Sequence, residues 1–280
     1  MSIKKILYFI LFCCTPLLSI AVNIQRDVLY SLVDKGEYNK LDIYYPKIKG
    51  EAKDVIIFIH GGSWRSGSKK EYWWLGRNFA RKNTVVAIIN YPLSPKSQYQ
   101  EMAFDCAEAV KWVQNNISKF GGNPNRIFLM GHSAGAHLAT LINQDQRYFN
   151  KAGIKNPVKG VILNDAFGLD MYQYFTTDPN GEHVPGFKET FTSESNVWKE
   201  ASPLNYIKIV PNPYLIFIGE KTFPSIRLQS PDFYNKIKQA QIKSEIKEIK
   251  GKKHVGMIAQ MVLGCNKMYA YILDFMKLTK

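Results

Sequence analysis

Five short stretches of the chain are almost continuously apolar. They are Val55–Ile59 (VIIFI), Thr84–Asn90 (TVVAIIN), Ile127–Met130 (IFLM), Val158–Leu163 (VKGVIL) and Tyr214–Ile218 (YLIFI). A strand with one wet face alternates apolar and polar side chains, so runs like these predict strands covered on both faces. Between them the spacing becomes helical. Ala103, Cys106, Val110 and Val113 mark one face of a helix over Tyr99–Ser118. Further helices are expected over Lys69–Lys82, Ala134–Asn143 and Asp232–Gln239, with an amphipathic closing helix over Ile258–Met276. Asp27–Ser31 and Leu41–Tyr45 read as an opening hairpin around Lys35-Gly36-Glu37, and Glu245–Ile249 as a last strand. Buried strands alternating with helices predict an α/β fold: a mostly parallel central sheet with helices on both faces. Right-handed crossovers then bring the strand-to-helix loops to one edge of the sheet, where ligands bind. Residues 171–200, rich in aromatics, Gly and Pro without a clear period, interrupt this rhythm and read as a short cap insertion.

The N-terminus follows another pattern. Lys4 and Lys5 precede an apolar stretch, Ile6–Ile20, and Ser19-Ile20-Ala21 offers a small-x-small cleavage site. Residues 1–21 therefore read as a signal peptide and 22–280 as one domain, placed in the periplasm or secreted. An uncleaved anchor is the other reading, but the apolar stretch is short for a span of about 20 residues. No stable membrane span is expected once the segment is removed. Composition adds little: 46% hydrophobic and 21% charged residues suffice for a core without staples. Cys106 and Cys265, left after cleavage, read as two buried thiols, with a single disulfide as the alternative in an oxidising compartment. The net charge is +14 and lysines are densest from Lys236 to Lys253, which reads as a solvated face. No nucleic-acid module or interleaved aromatics accompany it, so a nucleic-acid partner is not expected.

The candidate chemistry lies where a strand gives way to a helix. Gly131-His132-Ser133-Ala134-Gly135 fits G-x-S-x-G between Ile127–Met130 and Ala134–Asn143. A serine on such a sharp turn stands clear of the sheet edge, and flanking glycines permit the turn and a close helix–strand approach. A hydroxyl needs a base to become a nucleophile. Of the five histidines, His60 and His132 flank glycines in sharp loops, His137 lies one turn along the serine's own helix, and His183 sits in the cap. His254 follows the last strand at the same sheet edge and comes last in the chain, matching the order Ser…acid…His. Upstream, His60-Gly61-Gly62-Ser63-Trp64 directly follows Val55–Ile59; amides of Gly62, Ser63 and Ala134 would form an oxyanion hole. There is no HExxH, no Cys/His cluster at ligand spacing and no Walker loop, so no metal or phosphate site is expected.

With these motifs in order, the sequence resembles the α/β-hydrolases of the esterase/lipase group with an HGG-x-W oxyanion loop. It looks most like bacterial esterases related to kynurenine formamidase and to feruloyl-type esterases. HGGSW, Asn90-Tyr91-Pro92-Leu93, FGGNPNRI, GHSAGAHLA and Gln229-Ser230 carry the likeness, from about Tyr38 to the C-terminus. The resemblance implies an α/β-hydrolase fold and cofactor-free hydrolysis of a small-molecule ester, acyl or aryl, through an acyl-enzyme on Ser133. An anilide-type amide, as in an arylformamidase, is the alternative substrate. In many relatives the triad acid follows the strand equivalent to Tyr214–Ile218. Here the matching position is Thr222, which does not ionise, and this leaves an inactive binding protein as a further alternative. A carboxylate is needed to orient and stabilise the histidine. VILNDAFGLD supplies Asp165 and Asp170, and Glu220 is a third option; Asp165 immediately follows its strand and is favoured. Trp64 and Tyr172 are candidate substrate contacts. Tyr72, Trp73, Trp74, Tyr174, Phe175, Phe187 and Phe191 share that possibility, although most aromatics in such a set serve packing.

Overall fold

The structure is a computed structural model, and it describes residues 21–31, 36–47, 50–177, 179–181, 183–207 and 212–279. Residues 1–20 of the export segment, and Lys35 of the hairpin turn, lie outside the described residues. The strands are β1 (Val22–Leu29), β2 (Lys40–Pro46), β3 (Lys53–Ile59), β4 (Val85–Ile89), β5 (Gly122–His132), β6 (Val158–Asn164), β7 (Tyr214–Gly219) and β8 (Glu245–Ile249). They form one sheet in the order β1-β2-β4-β3-β5-β6-β7-β8. β2 runs antiparallel to β1 and to β4, and every other neighbouring pair is parallel. The register brings the strand ends level. Ile59 pairs with Gly131, Gly131 with Leu163, and Asn164 with Phe217. His60, Ser133, Asp165 and Glu220 therefore leave the sheet along one edge.

The apolar runs are continuous because alternate residues feed different layers. Ile57, Ile59, Leu129, Val161 and Ile216 face one side. There they meet α2 (Tyr99–Asn116), α3 (Ala134–Gln144) and α8 (Pro224–Gln239) through Cys106, Val110, Leu138, Ile226 and Phe233. Ile56, Phe58, Phe128, Met130, Ile162 and Phe217 face the other. Against them pack α1 (Trp73–Ala80), α9 (His254–Ala259) and α10 (Lys267–Leu278), through Leu75, Phe79, Met257, Ile272 and Phe275. Full burial of each such side chain contributes roughly 1.5–3 kcal/mol, which makes short strands sufficient.

The boundaries differ from expectation where propensity and packing disagree. The helix expected over Lys69–Lys82 opens with a 3-10 turn, Lys69–Tyr72, before α1. α4 (Arg147–Ala152) was not expected. α8 starts at Pro224 rather than Asp232 and runs through Pro231, because Ile226, Phe233 and Ile237 form one buried stripe. The closing helix is two: Leu263-Gly264-Cys265 separates α9 and its 3-10 extension from α10, and the Asn266 side chain caps α10 by accepting the Met268 amide at 2.9 Å. The cap holds three short helices, α5 (Met171–Thr177), α6 (Val184–Phe191) and α7 (Ser195–Glu200). Cys106 is buried as expected, whereas Cys265 is exposed in that interhelix turn, and both are free thiols. Among the described residues no helix is long and apolar enough to cross a membrane.

One contact sets how closely α3 approaches the sheet. A Cβ on Gly135 would lie 2.1 Å from the Ile59 carbonyl oxygen and 2.4 Å from that of His60. Both obstacles are backbone and cannot rotate away. Gly135→Ala is therefore expected to lower unfolding free energy by about 3 kcal/mol through overpacking. Gly153→Ala, at φ +77° with open space around it, should cost only about 1 kcal/mol from its left-handed backbone. Urea unfolding of the two variants measures the contrast.

Candidate active site

β5 ends at His132, and the chain turns at Ser133 with φ 54° and ψ −124° before α3 begins. That backbone conformation is unfavourable for a residue with a side chain and persists only where surroundings over-determine it. The Ser133 carbonyl accepts from the amides of Ala136 and His137 at 3.0 and 3.1 Å, so the helix is already under way. Its amide donates to the Asn164 carbonyl at 3.2 Å, tying the turn to β6. The hydroxyl stands at the edge rather than in the core.

His254 is the first residue of α9. Its Nε2 lies 2.8 Å from Ser133 Oγ, and its Nδ1 lies 2.6 Å from Asp165 Oδ2. A carboxylate accepts only, so Nδ1 carries the hydrogen and Nε2 is left to accept from the serine hydroxyl. Asp165 is fully buried at the end of β6, with φ 55°. Its Oδ1 accepts the Gly219 amide at 2.8 Å, and its Oδ2 accepts the Thr222 hydroxyl as well as His254. Thr222, on the exit of β7, thus supplies a donor to a carboxylate on the adjacent strand. Asp170 and Glu220 take other parts. Asp170 Oδ1 accepts the Gln173 amide at 2.8 Å in the first turn of α5, while the Gln229 side chain bonds both the amide and the carbonyl of Asp170. Glu220 Oε2 accepts the Gly251 amide at 2.6 Å and steadies the turn that leads to His254.

The loop after β3 lies against Ser133. A Cβ on Gly61 would meet Ser133 Cβ at 3.2 Å. Gly62, at φ +123°, accepts the amides of Arg65 and Ser66 at 3.0 and 2.9 Å, and Ser63 and Trp64 both adopt positive φ. Among the described residues, no hydrogen bond within the protein uses the amides of Gly62, Ser63 or Ala134 as donors. The far end of the loop is fastened by Lys69. Its buried ammonium lies 2.5 Å from Asp27 and from Asp42, and its amide donates to Asn90 Oδ1 at 2.7 Å.

The two candidate substrate contacts, Trp64 and Tyr172, are placed away from the cavity lining. Trp64 is fully buried. Its ring sits edge-on to Phe187 and Phe191, 5.2 and 4.7 Å away, and Nε1 donates to His137 Nδ1 at 3.3 Å. It roots the cap in the body. Tyr172, 37% exposed, lies on α5 with the Lys199 ammonium 4.8 Å above its ring, and it is not among the residues lining the cavity beside the triad. That cavity, about 280 Å³, is lined by Phe167, Tyr174, Thr177, His183, Phe223 and Leu228, among others. Phe223 reaches within 4.7 Å of the His254 ring, and Phe167 stands 6.2 Å from Phe223 and 5.0 Å from Tyr174. Phe167 and Phe223 escaped the sequence reading, although each lies within a few residues of a strand end on the ligand edge. A larger cavity, about 520 Å³, opens at the opposite edge beside Pro124, Val158, Pro213 and Ser244, away from all these groups.

The profile of the BD-FAE family matches residues 41–237, and the chain belongs to that family. It is similar to a probable isoprenylcysteine alpha-carbonyl methylesterase of Arabidopsis thaliana, 29% identical over 273 residues, covering 90% of this chain and 62% of that protein. It is also similar to a kynurenine formamidase of Danio rerio, 26% identical, covering 85% of this chain and 79% of that one. The chain spans 44–62% of the length of the plant methylesterases it matches. Among solved structures, a truncated carbohydrate esterase from gut microbiota superposes with a TM-score of 0.77 at 21% identity, covering 92% of this chain and 96% of that one. The architecture is that of the α/β-hydrolases.

Three histidines beside the site are held neutral. Burial lowers His60 and His137 to about 4 and His132 to about 3. In the unfolded chain each would titrate near about 6.5. Below that value the unfolded state binds protons that the native state refuses. Their contribution is therefore complete above about pH 6.5 and drains away as pH falls toward about 4. The urea midpoint should be flat from pH 8 to about 7 and fall progressively below about 6.5. His60→Gln should make that acid slope shallower.

Proposed function

We propose that the chain is a serine hydrolase that cleaves carboxylic esters through an acyl-enzyme. The observation that carries this reading is the unbroken hydrogen-bonded series Ser133–His254–Asp165, with the amides of Gly62, Ser63 and Ala134, in the two adjoining segments, bound to no protein group among the described residues. Ser133 Oγ attacks the acyl carbonyl carbon while His254 Nε2 takes its proton. Asp165 stays ionised, holding the tautomer and stabilising the imidazolium. The three amides receive the oxyanion, each donor contributing about 2.7–4 kcal/mol. His254 then passes its proton to the leaving alcohol oxygen. Water repeats the attack on the acyl-serine, with the same histidine as base, and Ser133 regains its hydrogen.

The cavity beside His254 suits a small apolar or aryl group, since Phe167, Tyr174, Phe223, Pro224 and Leu228 are among the residues that line it. Likeness to esterases of several kinds supports an ester substrate. The formamidase relative supports a second reading, with an anilide-type nitrogen as the leaving group protonated by His254, and it is matched over more of its length than the methylesterases are. The inactive-binder alternative rested on the missing acid at Thr222, and Asp165 supplies that carboxylate next to His254. Export belongs to the same proposal: the basic and apolar pattern of residues 1–21 would carry the domain to the periplasm or outside the cell.

A fluorophosphonate probe should label the wild-type protein at Ser133 and leave Ser133→Ala unlabelled. Equal turnover in Ser133→Ala and wild type would refute the reading. A panel of p-nitrophenyl esters, acetylated sugars, feruloyl esters and N-formylkynurenine ranks ester against amide; turnover of the last alone favours the second reading. Asp165→Asn should keep the fold and lower kcat about 10⁴-fold through the wrong histidine tautomer, as measured by steady-state kinetics.

A further inference from the structure

His132 is the last residue of β5 and the immediate neighbour of Ser133. Its ring lies 4.9 Å from the ring of His254, with the two planes 28° apart. Its Nε2 is 3.3 Å from the main-chain oxygen of His254. A carbonyl accepts only, so Nε2 carries the hydrogen and Nδ1 is a bare lone pair. Nδ1 is buried and without a partner among the described residues. It faces Gly61, where an added Cβ would come within 3.0 Å. A second proton on this ring would have no acceptor among the described residues, and burial opposes its charge, so the ring stays neutral while His254 takes and returns its proton. The ionisable groups that act on His132 are His254 and Asp165. Phe223, the other ring packed on His254, carries no charge.

Two consecutive residues therefore grip residue 254 at two points. His132 donates to its backbone, and Ser133 donates to its side chain. We propose that His132 is a positioning residue for the base, anchoring the main chain of His254 and backing its imidazole so that Nε2 remains in line with Ser133. The proposal rests on the hydrolase reading above. Its physical weight comes from the steep dependence of proton transfer on geometry, since a misplacement of about 1 Å can cost about 10²-fold in rate. A ring that only filled space would need no donor at Nε2, and this difference makes the two roles separable.

His132→Phe keeps an aromatic ring beside His254 and removes the donor. His132→Gln keeps an amide hydrogen near the reach of Nε2 and removes the ring. The Phe variant is expected to lower kcat about 10- to 100-fold with KM within about twofold of wild type, and to slow fluorophosphonate labelling by the same factor. The Gln variant should recover several-fold of that loss. Should the Phe variant fail to fold, His132→Gln against His132→Asn repeats the comparison, because the asparagine amide stops short of the His254 carbonyl. An active wild-type protein whose donor-less variant keeps full kcat, or changes only KM, overturns the inference and leaves the hydrolase reading standing. A wild-type protein that neither labels nor hydrolyses any member of the panel overturns both.

Discussion

The approach of α3 to the end of β3 is the constraint from which the rest of the site follows. Gly135 lets a helix backbone rest on the carbonyls of Ile59 and His60, and no residue with a Cβ could do so without moving that backbone. That contact places the first turn of α3 beside the loop leaving β3. Ser133 and Gly61 then meet edge to edge, so two segments remote in the chain lie side by side. The strained backbone at Ser133 is held by this packing together with the bond from its amide to Asn164. Positive φ recurs at Ser63, Trp64 and Asp165. Each such position costs of order 1–3 kcal/mol, and here they gather at one edge of the sheet. The stability of two well-filled layers offsets this local strain.

Asp165 shows how a carboxylate on one strand is held by donors from its neighbour. β6 and β7 are parallel and paired, so their C-terminal ends emerge side by side. A carboxylate at the end of β6 reaches across to the amide of Gly219 and the hydroxyl of Thr222, both on the exit of β7. With three donors around it, the buried anion has replaced its lost hydration with fixed dipoles. A donor at 222 suits an anion at 165, and an acid there would instead repel it.

Much of this was legible in the sequence, and for definite reasons. The five apolar runs are strands because each must feed two layers. The sharp turn at Ser133 and the glycine loop after β3 were readable because each needs glycine at a fixed spacing, and His254 lies within hydrogen-bond distance of Ser133 as its place after the last strand led one to expect. The acid at Asp165 could be argued from its place directly after β6. What escaped was decided by tertiary contact. Pro231 inside α8 and the break at Gly264 depend on which faces are buried, a property of partners rather than of local propensity. Trp64 looked like a ligand contact because it adjoins the oxyanion loop; its burial among Phe187 and Phe191 becomes visible only once the cap has folded over it. Cys265, expected to be a buried thiol, sits instead in an exposed turn.

Trp64 shares a peptide unit with Ser63, and the next residue, Arg65, pairs with Glu189 of the cap at 3.0 Å. The roof over the cavity is therefore bolted to the strip of backbone that would receive negative charge. Under the proposed hydrolase reading, selectivity and rate are not separable modules. An exchange of residues 171–200 for the insertion of another chain would pull on the Ser63–Trp64 linkage, so by that reading a graft meant to alter what fits beneath the roof would also alter how fast bonds break.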